Sequence, residues 1–214
     1  MTIVITGASR GIGATLAAQY KDAGEEVIGT ARGAGAEAVL DVTDPTSHAA
    51  FAASLADRPL DLLICNAGVY LDKGDDLDAG FGPDLWAQSF ATNVTGVFLT
   101  VQSLLPNLRA AKSAKIAIIA SQMGSQTRAP GGSYIYRASK AAAINLGRNL
   151  AVDLKPEGIA VGIYHPGWVR TDMGGDQGLL TVEECVEGQL DLIARANPAM
   201  SGRFYHVNGQ DLPW

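Results

Sequence analysis

The chain has 214 residues, 47% hydrophobic and 18% charged, which suits one globular domain with a sizeable core and excludes a disordered chain. Its 16 Lys and Arg against 22 Asp and Glu give a formal net charge of −6, which argues against nonspecific nucleic-acid binding and against an anionic membrane surface. No apolar run approaches the ~20 residues of a membrane span. Two distant cysteines, Cys65 and Cys185, and three scattered histidines, His48, His165 and His206, give neither a disulfide framework nor ligand spacing, so no metal site is expected. Without a basic, apolar leader pattern, the expectation is a reduced, cytoplasmic protein.

Thr2 to Thr6 predicts a buried strand. The glycine-rich run Gly7-Ala8-Ser9-Arg10-Gly11-Ile12-Gly13 follows, then a helix over 14–23 stopped by Gly24, then a strand over 26–32. A strand, glycine turn, helix and strand within about 30 residues is the context of a dinucleotide-binding turn. The spacing is G-x-x-x-G-x-G. Glycines there let the backbone approach a pyrophosphate, and the helix start offers free N–H groups and a positive dipole end.

A short strand over 39–42 and a helix over 46–55 come next. The strand over 60–65 ends in Asn66-Ala67-Gly68, which fits a ligand crevice at the carboxyl edge of a sheet. Residues 70–83 carry four Asp and read as a surface loop. One long helix is expected over 84–108, with Asn93 and Gly96 interrupting its apolar stripe. A strand over 115–120 ends at Ser121, followed by a loop over 122–132 and a helix over 133–155. A strand over 159–164, a turn through Pro166 and Gly167, a helix over 181–196 and a strand over 202–206 complete the chain. This alternation predicts one α/β domain over 1–214, a Rossmann-type, doubly wound, mostly parallel sheet of about seven strands with helices on both faces.

Tyr136 and Lys140 lie four residues apart on one helix and so share a face. A phenol titrates near 10, and a neighbouring cation lowers that value and makes a tunable proton donor or acceptor. Alone the pair carries little weight. The predicted topology puts Ser121, Asn66, Pro166-Gly167 and the glycine turn at the same sheet edge.

Read in order, Thr6 to Gly13, Asp41-Val42, Asn66-Ala67-Gly68, Asn93, the turn from Ser121 to Gly124, Tyr136-x-x-x-Lys140 and Pro166-Gly167 resemble the short-chain dehydrogenase/reductase family over nearly the whole chain. The brevity of the chain and the run Pro166 to Met173 resemble its compact C-factor-like branch. The resemblance implies an oxidoreductase interconverting a ketone or aldehyde and an alcohol. Tyr136 would be the general acid or base, with Lys140 lowering its pKa and binding the nicotinamide ribose. Ser121 would bind the substrate oxygen, and Asn93 would hold a relay water. The coenzyme would contact Gly7, Ser9, Arg10, Gly11, Ile12 and Gly13 in the turn. Asp41 and Val42 would lie at the adenine, Asn66, Ala67 and Gly68 beside the adenosine ribose, and Pro166, Gly167, Val169 and Thr171 around the nicotinamide.

At the end of the second strand, where NAD-preferring members carry an acidic residue, stands Ala31. Arg10 and Arg32 suit a 2′-phosphate, so NADP(H) is the expected coenzyme, with NAD(H) left open. Met123, Trp168 and Met173, with Tyr70, Leu179 and Leu180, are candidates for an apolar substrate wall. Family members pair two helices across a dimer, and small residues such as Ala141, Ala142, Ala143 and Gly147 lead to an expected homodimer or homotetramer. Two alternatives stay open: a coenzyme-binding signalling or scaffold protein with little turnover, and an isomerase or dehydratase using the same site.

Overall fold

The computed structural model describes residues 1–33 and 35–214. Ala34 lies outside the described residues. Among the described residues, seven strands form one sheet: β1 (Thr2–Thr6), β2 (Glu26–Ala31), β3 (Ala38–Val39), β4 (Leu62–Cys65), β5 (Lys115–Ile119), β6 (Ala160–His165) and β7 (Phe204–His206). Their order is β3-β2-β1-β4-β5-β6-β7, and each neighbouring pair is parallel. The order reverses between β1 and β4, which opens a crevice at their carboxyl ends.

Alternation along the strands divides the core. Ile3, Ile5, Leu62, Ile64 and Ile119 point to the face covered by α1 (Gly11–Asp22) and α6 (Val182–Arg195). Val4, Leu63, Cys65, Ile116 and Val161 point to the other face, under α2 (Pro45–Leu55), α4 (Gly96–Ala110) and α5 (Tyr134–Leu154). Both faces are buried, so the strands read as continuous apolar runs.

The expected helix over 84–108 is interrupted. It consists of α3 (Pro83–Phe90), a π-helical turn over Ala91–Thr95, and α4. The wider turn rotates Asn93 inward, where it is buried. Gly96 closes this turn because a Cβ there would stand 2.8 Å from the Val42 carbonyl oxygen. The third strand is also shorter than its sequence suggests. Asp41 accepts bonds from the Thr43 N–H (2.9 Å) and hydroxyl (2.7 Å), which turns the chain towards α2 before the strand can lengthen. Among the described residues, no helix is long and apolar enough to cross a membrane.

Ser121 ends the β5 segment and caps a short 3-10 turn over Gln122–Gly124. Gly124 lets this turn lie directly on α5, since a Cβ would meet Lys140 C at 2.5 Å and Ala141 N at 2.6 Å. These are backbone atoms and cannot swing aside. Gly124→Ala is expected to cost about 1–3 kcal/mol, lowering the melting temperature by roughly 2–4 °C per kcal/mol. Gly33→Ala, which meets open space, should stay within about 0.5 kcal/mol of wild type. Equal melting temperatures for all three proteins would refute the close contact.

Candidate active site

The glycine turn and the end of β4 are built as one unit. Asn66 donates its side-chain N–H groups to the Thr6 and Gly7 carbonyls, both at 3.0 Å. Thr6 Oγ1 accepts from the Asn66 and Ala67 N–H groups, both at 3.1 Å. Gly7 has φ +68° and Gly11 φ +54°, a region that favours glycine. Gly13 serves packing, because a Cβ there would stand 2.3 Å from the Gly7 carbonyl oxygen. These contacts leave the start of α1, including Gly11 and Ile12, facing an open cleft of about 370 Å³.

That cleft gathers most of the residues singled out in the sequence. Gly7, Ser9, Arg10, Gly11 and Ile12 line one side, and Arg32, Asp41 and Val42 line the end at which the family resemblance expects the adenosine. Asn66, Ala67 and Gly68 form its floor, with Tyr136 and Lys140 beyond them. Pro166, Thr171 and Met173 close it from above, and the Thr171 methyl group would be 3.5 Å from a Cβ at Gly11. Gly167, at φ +85°, turns the chain into this cover, and Val169 is buried beneath it, bridged to Leu180.

Several expected neighbours are not part of the cleft lining: Gly13, Asn93, Ser121, Gly167 and Val169 lie outside it, as do all but one of the apolar candidates. Trp168 is 47% exposed and ties its indole N–H to the Gly174 carbonyl at 2.9 Å. Met123 is half-buried, and its N–H caps onto the Ser121 hydroxyl at 3.2 Å. Leu179 is exposed. Of the proposed apolar wall only Met173 lines the cleft itself, while Tyr70 lies against Tyr136 with ring centroids 4.2 Å apart and 19° between planes. Ala143 and Gly147, read as small residues for a dimer face, instead lie on the buried side of α5. A Cβ at Gly147 would stand 2.7 Å from Ile163.

On α5 the side chains of Tyr136 and Lys140 are both buried, with the Lys140 ammonium 5.7 Å from the centre of the Tyr136 ring. Lys140 Nζ donates to the Ile119 carbonyl at 3.0 Å, which fixes the ammonium under the end of β5. The sequence suggested that Lys140 lowers the Tyr136 pKa. Burial dominates instead and pushes the phenol up to about 12, while the Ser121 hydroxyl pulls it down and Tyr70 and Asp72 add to the rise. Burial pushes Lys140 down to about 8.

Asn93 spends its amide on the protein. Its Oδ1 accepts from the Val69 N–H (2.9 Å), and its Nδ2 donates to the Val69 carbonyl (2.9 Å) and the Ser139 hydroxyl (3.0 Å). The side chain therefore anchors the segment after β4, with both of its N–H groups bonded to the protein. Arg10, beside the glycine turn, pairs with Asp172 at 3.2 Å, both side chains about four-fifths exposed (80% and 79%). Such a pair contributes little.

Sequence reasoning missed Asp72. It was one of four acids in an expected surface loop, yet it is fully buried and accepts from the Ile135 N–H at 2.8 Å and the Tyr136 N–H at 3.2 Å. Its spacing of two from Tyr70 places both on one side of an extended segment, and that is the only signal separating it from Asp75, Asp76 and Asp78.

The Lys140 shift has a consequence for stability. Below pH 8 folded and unfolded chains both carry the charge, and the folded chain bears its desolvation. Between about 8 and 10.5 the folded chain releases the proton first, so the unfolded state holds more protons and stability rises with pH. At about 1.4 kcal/mol per pH unit, the rise is about 3 kcal/mol. Denaturant unfolding of the coenzyme-free protein should show this rise relative to Lys140→Met. Parallel curves for the two would contradict it.

With this geometry in place, likeness to known proteins is informative. The short chain dehydrogenase family profile matches residues 1–179. The C-signal protein of Myxococcus xanthus is 39% identical over 169 residues, 77% of this chain and 99% of that protein. The 1-hydroxy-2-glutathionyl-2-methyl-3-butene dehydrogenase of Rhodococcus sp. (strain AD45) is 35% identical over 230 residues, 100% of this chain and 99% of that protein. The NADPH-bound carbonyl reductase from chicken fatty liver superposes with a TM-score of 0.91 at 31% identity, over 100% of this chain and 98% of that one. Sequence profile, full-length relative and superposed fold agree, and the chain belongs to the short-chain dehydrogenase/reductase family.

Proposed function

We propose that this protein is an NADP(H)-dependent reductase of ketones or aldehydes, with Tyr136 as its proton donor. The observation that carries the reading is the convergence of Ser121, Tyr136 and Lys140 at the carboxyl edge of the sheet, next to a cleft lined by Gly7, Gly11 and Asn66. Gly7 and Gly11, which line that cleft at positive φ, fit the close approach of a dinucleotide. The coenzyme, when bound, supplies the hydride. Everything else falls to the chain. Ser121 orients the carbonyl oxygen and stabilises charge on it. Tyr136, protonated at neutral pH because burial holds its pKa near 12, delivers a proton to an oxygen that becomes more basic as reduction proceeds. Lys140, held by the Ile119 carbonyl, keeps N–H groups for a ribose hydroxyl and reduces the cost of the phenolate left behind.

Coenzyme choice rests on Arg32 and Arg10 at the mouth of the cleft and on Ala31 where an acid would disfavour a 2′-phosphate. The NADPH in the similar carbonyl reductase from chicken fatty liver supports the same choice. Arg32→Ala should raise the KM for NADPH by about tenfold and leave that for NADH unchanged, as expected for a charged hydrogen bond. Steady-state kinetics with both coenzymes and a panel of small and aromatic carbonyls, followed by NADPH absorbance, tests the whole reading. Faster turnover with NADH than with NADPH, or no turnover of any carbonyl, would overturn it.

The likeness to the C-signal protein favours a second reading, a coenzyme-binding signalling protein. Tyr136→Phe separates the two. Reduction should fall roughly a hundred- to ten-thousandfold with NADPH binding intact, and a biological effect that survives this change would move the function away from catalysis. The oligomer, a homodimer or homotetramer, belongs to the same proposal. A reduced, cytoplasmic setting suits Cys65 and Cys185, both buried free thiols.

A further inference from the structure

We propose that Asp72 is a positioning residue: from the segment after β4 it supplies the N-terminal cap that α5 does not carry itself, and so fixes the helical turn that bears Tyr136. The inference rests on the reading of Tyr136 as the proton donor.

A helix start leaves N–H groups without partners, and a Ser at the N-cap position ordinarily accepts from one of them. At α5 that position is Ser133. It sits in the left-handed region (φ 50°, ψ 43°) and makes no capping bond. Its hydroxyl is bonded to the Tyr70 hydroxyl instead. The second and third N–H groups of the helix, those of Ile135 and Tyr136, point at the Asp72 carboxylate at 2.8 and 3.2 Å. Asp72 is 0% exposed, while Asp76 and Asp78 in the same loop are exposed. Full burial of an acid is costly unless its oxygens are bonded, and a carboxylate at a helix N-terminus also gains from the helix dipole.

The segment around Asp72 is itself held. Asn93 grips the backbone of Val69 through two hydrogen bonds of 2.9 Å. One residue on, the Tyr70 ring stacks on the ring of Tyr136. Two residues further, Asp72 takes the Tyr136 N–H. Tyr136 is thereby fixed at its backbone and across one ring face. The groups facing it are Tyr70 and Asp72 from this segment, Ser121 from the end of β5, and Lys140 from its own helix.

The test uses the full chain and three variants, Asp72→Ala, Asp72→Asn and Tyr136→Phe. Two measurements are made, carbonyl turnover with NADPH and amide hydrogen exchange without coenzyme. In Asp72→Ala the Ile135 and Tyr136 amides should exchange faster while the rest of α5 stays protected. The kcat should fall on the order of a hundredfold, the effect of displacing a reacting group by about an ångström, with the KM for NADPH unchanged. Asp72→Asn keeps one acceptor oxygen and should lie between Asp72→Ala and wild type, and it carries the test should Asp72→Ala not fold. If Tyr136→Phe is inactive but Asp72→Ala turns over like wild type, the positioning role is overturned and the proposed function stands. If Tyr136→Phe keeps wild-type turnover, the proposed function fails. Exchange then still decides the cap, and unchanged protection of both amides in Asp72→Ala overturns it.

Discussion

Tyr136 and Lys140 lie on one buried face of α5, and burial acts on them in opposite directions. It pushes the phenol up to about 12 and the ammonium down to about 8. Both movements favour the neutral forms. The arrangement around the pair follows from that constraint. A buried phenol is a well-stocked donor but a reluctant phenolate, so the Ser121 hydroxyl that pulls its pKa down bears directly on how readily the proton leaves. A buried ammonium needs acceptors, and the Ile119 carbonyl at 3.0 Å is one. Lys140 also lines the cleft that the glycine turn opens.

Placement of this pair comes from parts of the chain distant in sequence. The reversal of strand order between β1 and β4 brings the glycine turn and Asn66 together, and Asn66 locks them through two bonds of 3.0 Å. Gly124 lets the turn after Ser121 rest on the α5 backbone at Lys140. The π-helical turn swings Asn93 inward to hold Val69, which leads to Tyr70 and Asp72 against Tyr136. Apart from the Tyr70–Tyr136 ring stack, each of these contacts uses a backbone atom, a group with little freedom to adjust.

Much of the architecture was legible because strand and helix periods leave clear marks. Thr2–Thr6 and Lys115–Ile119 read as buried strands and are so, and the alternation of strands with helices gave the parallel sheet. The glycine turn and the Tyr136–Lys140 spacing are local in sequence, so their proximity was readable. Features that depend on distant partners were not. The π turn at Asn93 has no periodic signature, since it is the pull of Val69 and Ser139 that makes it worthwhile. Asp72 looked like any acid in a polar loop, because its partners are backbone N–H groups 63 and 64 residues away. Trp168 looked like a substrate wall because apolar character does not reveal direction, and its indole N–H turns it towards Gly174. The sign of the Tyr136 shift was missed for a similar reason. Spacing shows a nearby cation, whereas desolvation depends on the whole packed environment.

The central claim is that Tyr136 protonates a carbonyl oxygen as its carbon receives hydride at this cleft. The most direct measurement is mass analysis of the product formed from an aromatic ketone or aldehyde with NADPH deuterated at the transferring position. The account predicts an alcohol carrying one deuterium on carbon from the wild-type protein, and almost none from Tyr136→Phe at matched NADPH occupancy. An unlabelled product, or an equal yield of labelled alcohol from Tyr136→Phe, would contradict it.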